Sequence, residues 1–344
     1  MATLPSSWLS IAIASFVVVI TVFAMGLFGK KNQFQVEGKT VLMTGTSQGM
    51  GRCAVKEFAA RGANVIVVSR NAEKLKEVVE EMKAAAKYPE KQRFHYISAD
   101  VRVPNYATAL IEEATRWNNG QPLDIVWSNA GYSIPRLLMD MPMEEMRDMM
   151  DTNYYGSIEL ILAILRVWLD PSFPVEKQPR HLIVTISAIV WCNVAGYGTY
   201  APSKGALRCF VDVLAQELPL YPQNVKLSAV IPGNMSTEGF ERENTTKPLI
   251  TQKLEETESP DPPEQCVQAY FKGLEEGRYY ITANFLNSVM VWAGLGSSPR
   301  NNWISDTLGS WLASLVWLWF RPELDRTTRA FAKQHGHPAT WKTK

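Results

Sequence analysis

The segment TVLMTGTSQGMGR, residues 40–52, runs from a β-branched apolar stretch through three glycines into a helical pattern. A strand that ends in a glycine turn and restarts as a helix is the phosphate-binding entry of a doubly wound α/β sheet. Gly45 suits the tight turn, and Gly49 lets backbone amides approach a pyrophosphate. Gly51 allows close packing of a helix whose positive N-terminal end faces the anion. The spacing is TGxxxGxG rather than GxGxxG, with strand before and helix after as the motif requires. Ser47 and Gln48, inside the loop, are further candidate cofactor contacts.

Moving outward, NVIVVS at 64–69, FHYIS at 94–98, LDIVWSN at 123–129, HLIVTIS at 181–187 and VKLSAVIPG at 225–233 continue the strand series. Helix-like segments such as 73–87 and 207–218 separate them. Near-continuous apolar strands interleaved with helices describe a parallel sheet covered on both faces, hence one doubly wound α/β domain of Rossmann type. Residues 234–263, rich in Glu, Thr, Asn and Pro, follow the last of these strands and are expected to form a mobile substrate loop over the site.

The end of the second strand selects the cofactor, because an acid there would bind a ribose hydroxyl while a cation would pair with a 2′-phosphate. The sequence places Ser69-Arg70-Asn71 at this point, so Arg70 favours NADPH. Lys74 is a second candidate cation. Asp100 suits the adenine amino group, and Val101 its ring face.

Ser187 closes the fifth strand, and Tyr200 and Lys204 follow in YAPSK. An i, i+4 spacing puts the phenol and the ammonium on one helix face. A phenol titrates near pH 10, so the lysine is expected to favour the phenolate. In reduction Tyr200 would give its proton to the oxygen while Ser187 orients the carbonyl.

Together with Asn129-Ala130-Gly131 and Pro232-Gly233, these motifs over residues 37–285 resemble the short-chain dehydrogenase/reductase family in content and order. The resemblance implies that Asn153, in DTNYYG, relays protons through water to the lysine. It also implies that Asn129, Pro232 and Ser236 with Thr237 contact the cofactor, with Tyr200 and Lys204 touching it too. A closer resemblance, carried by TGTSQGMGR, PGNMSTEGF, SPDPP and the apolar tail, is to the fungal 3-ketodihydrosphingosine reductases. It implies NADPH-dependent reduction of a long-chain sphingoid ketone at the cytosolic face of the endoplasmic reticulum membrane, and leaves a homo-oligomer open. The alternatives are a membrane-bound relative acting on a steroid or retinoid, and a non-catalytic NADPH-binding scaffold.

The ends of the chain read as membrane elements. Residues 8–28 carry no charge and are long enough for a transmembrane helix, and Lys30 and Lys31 behind them place the rest in the cytosol. Residues 308–320, with three tryptophans, are too short for an easy span and read as interfacial or re-entrant, with a buried helix as the alternative. The expected division is an anchor at 1–31, a reductase domain at 37–285 and an apolar, membrane-associated extension at 286–344. Lys+Arg 35 against Asp+Glu 34 gives no pointer to nucleic acid. The four cysteines form no CxxC pair, so neither a disulfide framework nor a metal site is expected.

Overall fold

A computed structural model describes residues 32–341. The predicted N-terminal anchor lies outside these residues. Among the described residues no helix is long and apolar enough to cross a membrane.

The chain alternates strand and helix from its first glycine turn. The elements are β1 (Thr40–Thr44), α1 (Gly49–Ala60), β2 (Asn64–Ser69), α2 (Ala72–Ala85), β3 (Phe94–Ser98), α3 (Tyr106–Trp117) and β4 (Ile125–Ser128). Then come α4 (Met143–Met150), a π-helical turn (Asp151–Tyr155), α5 (Gly156–Trp168), β5 (Arg180–Thr185), α6 (Tyr200–Glu217) and β6 (Val225–Ile231). The chain closes with α7 (Glu238–Thr246), α8 (Leu249–Leu254), α9 (Pro263–Glu275), β7 (Tyr280–Thr282), α10 (Phe285–Ala293) and α11 (Trp303–His335).

The seven strands pair in parallel in the order β3-β2-β1-β4-β5-β6-β7. The order reverses between β1 and β4, which opens a crevice at their carboxyl ends where such sheets bind ligands. Every residue of β1, β4 and β5 is buried, the pattern of strands covered on both faces. One face packs Leu110 of α3, Leu160 of α5 and Leu207 of α6. The other packs Val55 of α1, Leu75 of α2 and Phe271 of α9. Phe58 meets Trp127 and Phe271 edge-on there, with Trp127 and Phe271 tilted to each other, and each ring contributes about 1.5–3 kcal/mol by leaving water.

Residues 234–263, expected as a mobile loop over the site, hold two helices, α7 and α8. Thr237 caps α7 by accepting from Phe240 N at 3.2 Å, and Glu238 and Glu241 oppose the positive helix end. Residues 308–320 belong to α11, and the buried-helix alternative fails for them. This helix turns Asp306, Gly309 and Ala313 inward, while Trp311, Leu315 and Trp319 are 67%, 60% and 79% exposed. Asp306 accepts from Trp292 Nε1 at 3.1 Å and so holds α11 against α10.

Candidate active site

The carboxyl ends of β1, β4, β5 and β6 surround a cavity of about 1060 Å³. Its floor is the glycine loop. Gly45 has φ +69°, and a Cβ there would lie 2.8 Å from Ala130 Cα. A Cβ at Gly51 would lie 2.1 Å from Gly45 O. Loop, helix and the Asn129-Ala130-Gly131 turn are therefore locked together with no space for side chains. Thr44 Oγ1 accepts from Asn129 N and Ala130 N at 3.0 and 3.1 Å, and Asn129 Nδ2 donates to Thr44 O at 3.1 Å. Asn129 thus fixes the loop, and Thr44 does so as much.

Ser47, Gln48 and Gly49 line the cavity, as do Arg70, Lys74, Asp100 and Val101 at the ends of β2 and β3. Arg70 is exposed and makes no ion pair among the described residues, whereas Lys74 bonds Glu238 at 3.1 Å. Asp100 accepts from Arg102 N at 3.0 Å and Arg102 Nη2 at 2.7 Å, which holds its carboxyl below the usual range. Arg102 also reaches Asp148 at 2.9 Å, so Asp100 is part of a clamp between β3 and α4. These features fit a nicotinamide dinucleotide: a cradle free of Cβ atoms beside a helix N-terminus, and an uncommitted guanidinium with no acid in its place.

Across the cavity, Tyr200 opens α6 and its hydroxyl lies beside Ser187. Lys204 is buried, and its Nζ donates to Thr185 O at 3.0 Å. Burial pulls the ammonium down to about 8. Burial also pushes the Tyr200 phenol up to about 12, Ser187 opposing and Glu243 adding to the rise. The expected depression of the phenol by Lys204 is not found: burial raises it, and the ammonium is turned onto the Thr185 carbonyl. A raised phenol still suits reduction, since a proton donor must hold its proton at neutral pH.

Asn153 sits in the π turn, fully buried. Its Oδ1 accepts from Tyr132 N at 2.9 Å, and its Nδ2 donates to Tyr132 O at 2.9 Å and Ser203 Oγ at 3.0 Å. A Cβ on Gly131 would be 3.0 Å from Asn153 Oδ1 and 3.2 Å from Lys204 Nζ, so both groups flank one point. The π turn adds a residue to the helix and re-aims Asn153 toward β4, a use of such bulges that recurs at functional sites.

Pro232 lines the cavity and accepts from Ala188 N at 2.9 Å. Ser236 does not line it. Its N and Oγ reach Asp261 O at 3.0 and 3.3 Å, tying the chain to the SPDPP segment. Thr237, next along, takes the inward place, its Cγ2 lying 3.3 Å from where a Cβ of Gly49 would be. Two further lining residues, Glu243 and Asn287, had no motif to mark them.

Fold and site together define a dinucleotide-binding α/β protein whose cradle faces a serine, tyrosine and lysine acid/base group. Residues 39–248 match the family model described as short chain dehydrogenase. The chain is 46% identical over 98% of its length, and 94% of the relative's, to the 3-ketodihydrosphingosine reductase gsl-3 of Neurospora crassa. It is 38% identical to the 3-ketodihydrosphingosine reductase ksrA of Aspergillus fumigatus, over 91% of this chain and 90% of that one. A short-chain type dehydrogenase/reductase from Mycobacterium marinum superposes with TM-score 0.60 at 25% identity, covering 71% of this chain and 90% of that one. The chain belongs to the short-chain dehydrogenase/reductase family.

Proposed function

We propose that this protein is an NADPH-dependent reductase that converts 3-ketodihydrosphingosine to dihydrosphingosine in sphingolipid synthesis. The observation that carries the reading is the placement of Tyr200 beside Ser187 across one cavity from the glycine cradle, in a chain nearly half identical to a 3-ketodihydrosphingosine reductase. Arg70, with no carboxylate at the end of β2, supports NADPH over NADH.

The cofactor, when bound, supplies a hydride. Gly45, Gly49 and the α1 N-terminus would hold its phosphates, Arg70 the 2′-phosphate, and Pro232 with Thr237 its far end. Ser187 hydrogen-bonds the substrate carbonyl and fixes it next to Tyr200. Tyr200 gives its phenolic proton to the carbonyl oxygen as that oxygen gains negative charge. Lys204, bonded to the Thr185 carbonyl, holds the first turns of α6 and with them Tyr200 in place, and Asn153 keeps the β4 turn and α6 in register while this happens.

The reading extends to the endoplasmic reticulum membrane, with the catalytic domain facing the cytosol. Support comes from α11, whose bulky apolar residues face outward while its small ones face the protein, an inversion suited to an apolar surface. Phe320 of α11 and Leu286 and Met290 of α10 line the cavity, so the apolar surface leads to the chemistry. The test is NADPH consumption by detergent-solubilised protein with 3-ketodihydrosphingosine, a steroid ketone and retinal at equal concentration. Turnover confined to the sphingoid ketone is expected, and turnover confined to another substrate would overturn the assignment.

A further inference from the structure

The two ends of the cavity differ in charge. Arg70 stands at the cradle end, whereas Glu243, Glu255 and Glu258, with Arg242 beside them, line the end covered by α7 and α8. Among the described residues the ion pairs of these carboxylates go to Lys247, which bonds Glu255 at 2.6 Å and stands 3.8 Å from Glu243, too far for a hydrogen bond. Among the described residues the Glu258 carboxylate accepts only from Asn234 Nδ2, at 2.8 Å. Burial first and Glu255 second lift the Glu258 carboxyl above its usual range, and burial lifts that of Glu243. A cation entering this end would relieve both.

Glu243 is the carboxylate tied to the chemistry. Tyr197 donates to it at 2.5 Å, and the rings of Tyr197 and Tyr200 are 6.3 Å apart. Its charge acts on the Tyr200 phenol itself. Independently, Asn287 lines the same cavity at 4% exposure, packed against Gly233, and its Nδ2 has no partner among the described residues. A buried donor left without an acceptor is costly, so whatever fills the cavity is expected to supply one.

We propose that Glu243 determines substrate specificity by pairing with the ammonium that a 2-amino-3-ketone carries beside its reacting carbonyl, while Asn287 donates to the neighbouring hydroxyl. The inference rests on the function proposed above and deepens it. An ammonium one carbon from the carbonyl must accompany it when the oxygen is seated at Ser187 and Tyr200. The counter-charge therefore has to lie within a residue's reach of Tyr200, where the Tyr197–Glu243 pair is. The cavity is then polarised as its two ligands require, with cations for a dinucleotide at one end and a carboxylate for an amine at the other.

The experiment compares 3-ketodihydrosphingosine with the same 1-hydroxy-3-keto chain lacking the amine, using purified full-length protein and NADPH. The wild-type protein is expected to favour the amine-bearing ketone in kcat/KM. Glu243→Gln should shrink that preference about 10- to 100-fold, the worth of one charge-assisted hydrogen bond, and Glu243→Asp should recover part of it. Glu255→Gln also unpairs Lys247, so it should lower both substrates together and leave the preference standing. An unchanged preference in Glu243→Gln, or an equal loss on both ketones, would overturn the inference while leaving the reductase intact. Wild-type turnover of neither ketone would overturn the functional reading, and this inference with it.

Discussion

Lys204 Nζ and the Thr185 carbonyl oxygen stand 3.0 Å apart, and this bond ties the first turns of α6 to the end of β5. Thr185 also accepts from Trp127 Nε1 and donates to Asn129 Oδ1, both at 2.9 Å. The lysine at the acid/base end and the asparagine at the cradle end therefore lean on one threonine.

Lys204 should set the alkaline limb of the reaction. Burial holds its ammonium at about 8, while Tyr200 keeps its proton to about 12. For ketone reduction, kcat/KM is expected to fall above about pH 8 as the lysine loses its charge. Lys204→Arg should move the limb upward, because a guanidinium stays charged. A pH profile from 6.5 to 10 checks this, and a limb unmoved in the arginine variant would remove Lys204 from that role.

Arg70 should discriminate between cofactors. Arg70→Ala is expected to raise KM for NADPH about tenfold or more, the loss of a charge-assisted contact, with little change for NADH. Steady-state kinetics with both cofactors measure it, and an equal rise for both would contradict the 2′-phosphate assignment.

His181 should make stability depend on pH. It is buried in β5 with its ring 4.9 Å from that of Phe34. Burial, then Lys226 and Lys39, pull its imidazole from 6.5 to about 3. The unfolded chain thus takes up a proton that the folded chain refuses. The resulting stability is full above about pH 6.5 and is lost as pH falls toward 3, at up to about 1.4 kcal/mol per pH unit. His181→Leu should narrow the loss between pH 7 and pH 5 by about 2 kcal/mol. Urea unfolding at the two pH values reads this directly, and an identical loss in both proteins would refute it.

Helix α11 should bind an apolar surface without the N-terminal segment. A chain starting at residue 32 is expected to float with phospholipid vesicles. The triple variant Trp311→Glu, Leu315→Glu, Trp319→Glu should stay in solution, since it puts charge on successive turns of the exposed face. Equal flotation of both would show that α11 is not the docking element.

Much of this architecture is legible in residue order because the deciding signals are local. Strands β1, β2, β4 and β5 announce themselves as apolar runs, since a strand covered on both faces has no polar alternation to confuse it. Strand β7, three residues long, is too brief to carry a pattern. Residues 234–263 read as loop because α7 buries none of its residues and so shows no apolar stripe. Ser236 and Thr237 are adjacent hydroxyls, and only the cap on α7 and the pairing with Asp261 settle which one turns inward. The phenol's response to Lys204 also escaped the sequence, since i, i+4 spacing says nothing of the Thr185 carbonyl that claims the ammonium. Glu243 and Asn287 join the site through long-range packing, and no spacing rule reaches them.

Following the hydride and the loss of the Tyr200 proton together tests the proposed reduction. Purified protein is given 3-ketodihydrosphingosine and NADPH carrying deuterium at the transferred position, and the product is read by mass spectrometry. Dihydrosphingosine with one deuterium at C3 is expected for the wild-type chain, and a rate lower by about 100-fold or more for Tyr200→Phe with NADPH binding retained. Deuterium absent from C3, or Tyr200→Phe turning over near the wild-type rate, would contradict it.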